Sequence, residues 1–153
     1  MTKVAIVPNI IPFDDGYQIF LAGAIDMGKA VDWQSEVIER LQGHDKLSIY
    51  SPRRSNDEYT VDTRDEQIRW ELQRLDASDL IFMWFPREAL APISFLESGL
   101  FWRSGKIIVG AEQGFYRRRN LEITAEHYAL PNGIYDNLDD MIRETKWKYH
   151  LYW

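Results

Sequence analysis

Cysteine is missing from this chain of 153 residues, so it can form neither a disulfide framework nor a thiolate nucleophile or metal site. The histidines are scattered and keep no spacing that suits a metal ion, and we therefore expect no metal and no other cofactor. No apolar run approaches the roughly 18 residues of a membrane span, and the N-terminus lacks a signal-peptide pattern. We expect a cytoplasmic protein that does not contact membranes.

Excess positive charge is also missing. The formal net charge is −6, which disfavours binding to nucleic acid. The basic clusters are Arg53-Arg54 and Arg117-Arg118-Arg119. The latter could bind a phosphate or hold subunits together. The glycine-rich fingerprints of dinucleotide and triphosphate sites are absent, because Ala22–Gly28 has two glycines at the wrong spacing. A dinucleotide or triphosphate enzyme is therefore not expected.

Aromatic residues, in contrast, are abundant and make up 14% of the chain. Such a content favours either a site that stacks on a flat ring or an aromatic interface between subunits. Four tryptophans in the predicted elements are candidates for stacking on a ring or for the core: Trp33, Trp70, Trp84 and Trp102. The aromatic tail Trp147–Trp153 favours an interface. The sequence leaves both uses open.

Apolar, β-rich runs alternate with segments of helical periodicity along the chain. Strands are predicted at Lys3–Val7, Tyr17–Leu21, Leu47–Tyr50, Leu80–Phe85 and Ile107–Gly110, with a possible short strand at Gly133–Tyr135. Helices are predicted at Val31–Leu41, from Thr63 onward with Ile68, Leu72 and Leu75 on one face, and at Ile93–Ser104, Asn120–Tyr128 and Leu138–Lys146. This alternation indicates one α/β domain over residues 1–153. Its architecture should be a three-layer flavodoxin-like or Rossmann-like sandwich with a mostly parallel sheet of about five strands.

Glu97 is the residue on which the functional interpretation depends. It follows the apolar run Leu80–Phe85 and a short loop, in the first turns of the next helix. Ligands of open α/β sheets bind at the carboxyl ends of the strands, so a carboxylate arriving there is a site candidate. Its apolar neighbours should raise its pKa by desolvation. The structural alternative is an acid that interacts with the positive end of the helix dipole.

Three segments resemble the nucleoside 2-deoxyribosyltransferase family. They are Ile19-Phe20-Leu21-Ala22-Gly23, the run from Trp70-Glu71-Leu72 to Ala77-Ser78-Asp79-Leu80-Ile81, and Ser94-Phe95-Leu96-Glu97-Ser98-Gly99 followed by Gly105-Lys106. The likeness is closest to the branch called nucleoside 2-deoxyribosyltransferase-like, which also has counterparts of Ser51–Arg54 and Phe115–Asn120. The resemblance extends from about Tyr17 to Tyr128.

The resemblance implies that the chain exchanges the base of a 2′-deoxynucleoside for a free nucleobase through a covalent deoxyribosyl-enzyme. Glu97 matches the nucleophile of the family, and Glu71 matches an acidic residue near the nucleobase. Asn120 matches an asparagine that serves the neighbouring subunit's site, and the terminal carboxylate of Trp153 would act similarly. The resemblance thus implies a homo-oligomer with sites at subunit interfaces. Gly23, Phe20 and Ser94 are the further expected substrate contacts.

One position departs from the family. The family carries an aspartate in the loop before the nucleophile, where it holds a sugar hydroxyl, and this chain has Leu90-Ala91-Pro92 there with only Glu88 nearby. The departure and the arginine clusters leave two alternatives open. One is a hydrolase of nucleosides or nucleoside 5′-monophosphates, and the other is a catalytically silent nucleotide-sensing module on the same fold.

Overall fold

A computed structural model describes residues 1–12, 15–55 and 58–151. The strands are β1 (Lys3–Ile6), β2 (Tyr17–Gly23), β3 (Leu47–Ser51), β4 (Leu80–Phe85) and β5 (Ile107–Ala111). The helices are α1 (Trp33–Arg40), α2 (Val61–Ala77), α3 (Pro92–Phe101), α4 (Arg118–His127) and α5 (Leu138–Lys148), with a short 3₁₀ helix at Asp26–Gly28. Every predicted strand and helix is found, with ends that differ by three residues or fewer.

The five strands form one parallel sheet in the order β1-β3-β2-β4-β5. The possible strand at Gly133–Tyr135 is reduced to a single parallel bridge between Tyr135 and Gly110, beyond β5. From β3 to Tyr135 the order is that of a flavodoxin-like sheet, with β1 added outside β3. The predicted fold class is confirmed. The order reverses between β2 and β4, which places the crevice typical of ligand sites at their carboxyl ends.

Strand β2 shows why the fold has three layers. Ile19 and Leu21 point to one side of the sheet and pack in a buried cluster with α1 and α5. Phe20 and Ala22 point to the other side and pack with α2, α3 and α4. Alternate residues of a strand face opposite sides, so a strand that is apolar on both faces must be covered by two helical layers.

The side chain of Lys106, which precedes β5, caps the carboxyl end of α2 and gives a testable prediction about stability. Its ammonium Nζ donates to the carbonyl oxygens of Leu75, Asp76 and Ser78 at 2.6, 2.9 and 2.9 Å. The last carbonyls of a helix have no partner within it, so the lysine supplies one. We expect Lys106→Met to lower the free energy of unfolding by about 1.5–3 kcal/mol, the usual contribution of hydrogen bonds to a charged group.

Urea unfolding followed by circular dichroism measures this change. Lys46→Met is the matched control, since Lys46 also immediately precedes a strand but is exposed. Equal unfolding midpoints for the two variants would show that the three carbonyl contacts of Lys106 do not contribute to stability.

Candidate active site

Helix α3 carries polar residues on its buried face and apolar residues on its exposed face. Ser94, Glu97 and Ser98 are 4%, 6% and 2% exposed. Ile93, Leu96 and Leu100 are more than half exposed. Each set has the spacing of one helix face. The usual arrangement of apolar residues inside and polar residues outside is therefore reversed along α3. A helix that turns carboxylate and hydroxyl groups inward needs partners for them.

Helix α2 supplies the partner of Glu97. It begins at Val61, two residues before the predicted start, with a capping box between Thr60 and Thr63. Trp70 and Leu75 are buried, while Glu71 is half-buried beside them. The predicted apolar face is therefore wrong in part, because Ile68 and Leu72 are 47% and 43% exposed. The inward face of α2 holds the site residues instead.

The carboxyl groups of Glu71 and Glu97 lie next to each other, within reach of a direct hydrogen bond when one of them is protonated. Burial raises the pKa of Glu97 well above its usual range, and the neighbouring charge of Glu71 raises it further. Burial also raises the pKa of Glu71, but hydrogen bonds from Glu97 and Gln67 and the charge of Arg54 oppose this change. Two buried carboxyl groups this close do not both ionise readily, so the pair retains one proton at a pH where an exposed glutamate would be ionised.

A chain of hydrogen bonds supports Glu71 from behind. The Gln67 side-chain amide donates to Glu71 Oε1 at 2.8 Å and to the carbonyl oxygen of Pro52 at 3.0 Å. Arg54 Nε donates to Gln67 Oε1 at 2.8 Å, and another Arg54 nitrogen donates to Glu66 Oε1 at 2.7 Å. The sequence analysis missed Gln67, although it lies four residues before Glu71 on the same helix face.

Buried aromatic rings pack on the same side of the sheet as the pair. Phe20 meets Trp70 edge-on, with ring centroids 5.9 Å apart, and Tyr50 lies 6.1 Å from Trp70. The Trp70 indole donates to the carbonyl oxygen of Asn9 at 2.9 Å. Phe20 is fully buried, so the structure places it in the core. The four tryptophans proposed for stacking are at most 7% exposed and lie in the core as well.

Gly23 lies at the carboxyl end of β2, where its conformation is left-handed with φ of +123°. A Cβ atom built on it would lie 2.4 Å from the carbonyl oxygen of Trp84 and 2.9 Å from the Trp33 ring. Packing between β2 and β4 therefore accounts for this glycine without any ligand. Ser94 lies one turn before Glu97 on the same buried face of α3.

The structure does not bring Asn120 to the carboxyl pair of its own chain. Asn120 is exposed in the first turn of α4. That helix begins at Arg118 with Arg117 as its N-cap, two residues before the predicted start at Asn120. Trp153 lies outside the described residues. Near the end of the described chain, Tyr149 packs on Tyr17 with ring centroids 4.4 Å apart, at the amino end of β2.

A carboxylate from elsewhere in the chain holds the loop in which the family's aspartate is missing. The backbone N–H groups of Leu90 and Ala91 each donate to Asp26 at 2.8 Å. Asp26 and Ala91 have φ values of 49° and 52°, a conformation that non-glycine residues adopt at a cost of about 1–3 kcal/mol each. The Tyr116 hydroxyl donates to the Leu90 carbonyl at 3.1 Å. The start of α3 is thus fixed from two sides.

A cavity of about 440 Å³ lies beside this loop, at the carboxyl ends of β2, β4 and β5. Asp26, Ala30, Pro86, Leu90 and Glu112 are among its lining residues, whereas Glu71 and Glu97 are not. The carboxyl pair therefore does not line this cavity.

The arginines of both clusters are occupied by internal contacts. Arg53 donates to the carbonyl oxygens of Gly28, Ala30 and Val31. Further along, Arg118 contacts Glu122, Asp136 and the Ala111 carbonyl, Arg119 contacts Glu122, and the Arg117 guanidinium lies over the Tyr116 ring. The arginines of both clusters thus have contacts within the chain.

Two further observations concern the described part of the chain only. No group of three or more histidine, aspartate or glutamate side chains within it could hold a metal ion. None of its helices combines the length and the apolar composition that crossing a bilayer requires.

Comparisons with known proteins agree with the fold and the family resemblance. The family model described as "Nucleoside 2-deoxyribosyltransferase like" matches residues 16–115. No curated protein matches the sequence. Among solved structures, a conserved protein from Enterococcus faecalis V583 superposes with a TM-score of 0.59 at 14% identity. The match covers 87% of this chain and 99% of that one, and at this identity it supports the fold alone.

Proposed function

The chain belongs to the nucleoside 2-deoxyribosyltransferase-like family, and from that premise we propose that it transfers a 2-deoxyribosyl group between nucleobases, with Glu97 as the nucleophile. The observation that carries the proposal is the pair of adjoining carboxyl groups of Glu71 and Glu97 on the inward faces of α2 and α3. Displacement of a base from C1′ needs one carboxylate to attack and one acid to protonate the leaving group. A pair that shares one proton contains both.

Glu97 must be ionised to attack, so in the reactive form the shared proton lies on Glu71. The Glu97 carboxylate then attacks C1′, the bond from C1′ to the base nitrogen breaks, and Glu71 gives its proton to that base. In the second half, the nitrogen of another base attacks C1′ and loses its proton to Glu71, which frees Glu97. Glu97 is only 6% exposed, so the side chains around it must move to admit a substrate.

We further propose that the protein works as a homo-oligomer. The two helices that hold the carboxyl pair expose apolar side chains, which are Ile68 and Leu72 among charged residues on α2 and Ile93, Leu96 and Leu100 on α3. A second copy seated on this surface would bury these side chains and exclude water from the site between the helices. Exclusion of water favours transfer to a base over hydrolysis.

Leu96→Asp should therefore shift the protein to a smaller species and lower the ratio of transfer to hydrolysis, because a charge at this position opposes burial in an interface. Light scattering coupled to size-exclusion chromatography measures the mass, and chromatography of the products measures the ratio. Val31→Asp is the control, since Val31 is equally apolar and 65% exposed but lies in the β2–α1 connection. A wild-type monomer with full activity would refute the oligomer proposal.

A hydrolase of nucleoside 5′-monophosphates would need guanidinium groups available to bind the phosphate. Because the arginines have contacts within the chain, we favour a nucleoside as the substrate over its 5′-monophosphate. The deciding experiment is incubation with thymidine and free adenine, followed by chromatography. A deoxyadenosine peak would support transfer. Free thymine without deoxyadenosine would indicate a hydrolase. An unchanged mixture would contradict the proposal and favour a sensing module that binds without turnover.

A further inference from the structure

The orientation of the Gln67 side-chain amide is fixed by its partners. Its oxygen accepts from Arg54 Nε, while its nitrogen donates to Glu71 Oε1 and to the Pro52 carbonyl oxygen. A flipped amide would turn its oxygen toward a carboxylate and a carbonyl and its NH₂ group toward a guanidinium, so all three contacts would become repulsive. Gln67 therefore always presents a donor to Glu71.

The group that fixes Gln67 carries a permanent charge. The Arg54 side chain is only 5% exposed, and a guanidinium remains protonated throughout the accessible pH range. Its ion-pair partner Glu66 is 53% exposed, so water screens that carboxylate more strongly than the buried face that Arg54 turns to Gln67. The Tyr59 hydroxyl accepts from the Arg54 backbone N–H at 2.8 Å. Among the described residues, the ionisable groups near Glu71 are Tyr59, Glu97, Arg54 and Glu66.

We infer that Arg54 is a positioning residue that acts through Gln67 to orient the Glu71 carboxyl group beside Glu97 and to stabilise its ionised form. Arg54 is not a catalytic residue, because its contacts run to Gln67, Glu66 and Tyr59 and not to a reacting group. The effect of Arg54 on turnover rests on the proposed function. When Glu71 has given its proton to the departing base, the same donor and charge stabilise the carboxylate that remains.

Titration of the free protein tests this inference without any substrate. Carbon-13 NMR of labelled glutamate carboxyl groups should show that Arg54→Met raises the midpoint of Glu71 by about 0.5–1 pH unit. An opposite charge in direct contact shifts a carboxyl by about 1–3 units, and here one amide intervenes. Gln67→Met keeps the charge of Arg54 but removes the amide that links Arg54 to Glu71, so it should raise the Glu71 midpoint by less. This variant tests the relay from Arg54 through Gln67 to Glu71 if Arg54→Met does not fold.

Two controls separate this effect from general damage. Arg53→Met removes the neighbouring guanidinium, whose donors go to the β2–α1 connection, and should leave the midpoint unchanged. Glu66→Gln removes the counter-charge of Arg54 and should lower the midpoint. An unchanged Glu71 midpoint in both Arg54→Met and Gln67→Met would overturn the inference.

The pH dependence of kcat links the relay to turnover. Loss of the positive charge disfavours the ionised form, so both limbs of the profile should move to higher pH in Arg54→Met. A residue with a purely structural role would lower kcat at every pH and leave the limbs in place. If the variants shift the Glu71 midpoint but the wild-type protein shows no turnover, the proposed function is rejected and the role of Arg54 is kept. If the wild-type protein turns over but the variants leave the Glu71 midpoint unchanged, the role of Arg54 is rejected and the proposed function is kept.

Discussion

Glu97→Ala is expected to abolish both base exchange and nucleoside hydrolysis, with a fall in kcat of about 10³-fold or more, as for the removal of other enzymatic nucleophiles. No other described carboxyl group can replace it from the same position, because Glu71 approaches from a different helix. The measurement is chromatography of thymidine and adenine mixtures over long incubations. An alanine variant that still forms deoxyadenosine would remove Glu97 from the mechanism.

Glu97→Gln shows whether a loss of activity reflects chemistry or unfolding. Because burial raises the pKa of Glu97, the folded state binds its proton more tightly than the unfolded chain does. Wild-type stability must therefore fall as the pH rises from the usual value for a glutamate, about 4.3, through the higher value of the folded state. Glutamine avoids this loss and can still donate to Glu71. We expect the Glu97→Gln variant to be inactive but to melt at a higher temperature than the wild type, by a margin that grows from pH 5 to pH 8.

The sequence predicts the layers of this fold because local patterns determine them. The fully apolar run Leu80–Phe85, bounded by Asp79 and Pro86, is typical of a strand covered on both faces, and the alternation of strands with helices implies parallel pairing. The faces of α2 and α3 were less predictable. Ile68 and Leu72 have core-like spacing but are exposed, because the inward face is taken by Gln67 and Glu71. Periodicity identifies an apolar face but not whether the sheet or another surface covers it.

Glu97 was a site candidate from its position after a strand, and the family resemblance added Glu71 and the roles of both. The residues that support them came from the structure alone. Arg54 reaches Gln67 across 13 residues, and Asp26 reaches Leu90 across 64. Contacts over such separations depend on how loops pack after the sheet has formed, and a residue pattern carries no record of them. Asp26 shows the consequence, since the loop that lacks an aspartate in sequence has a carboxylate in space.

Gly23→Ala is expected to lower the free energy of unfolding by about 2–6 kcal/mol, from about 1–3 kcal/mol of backbone strain and about 1–3 kcal/mol of overpacking. The new methyl group would lie 2.4 Å from the Trp84 carbonyl oxygen and 2.7 Å from its backbone nitrogen, and backbone atoms of a central strand cannot move aside. Such a loss is a large part of a typical total of about 5–15 kcal/mol. Urea unfolding, or soluble yield if the variant does not accumulate, measures it.

Gly99→Ala is the matched control and should change stability in the opposite direction. Gly99 lies in α3 with no atom within 4 Å of an added Cβ, so alanine should stabilise the helix by about 0.5–1 kcal/mol. The comparison also separates the two explanations of Gly23. If packing against Trp84 requires the glycine, the alanine variant loses stability whether or not a nucleoside is present. If the glycine serves the approach of a ligand, the variant keeps its stability and loses only affinity, and the packing explanation would then be wrong.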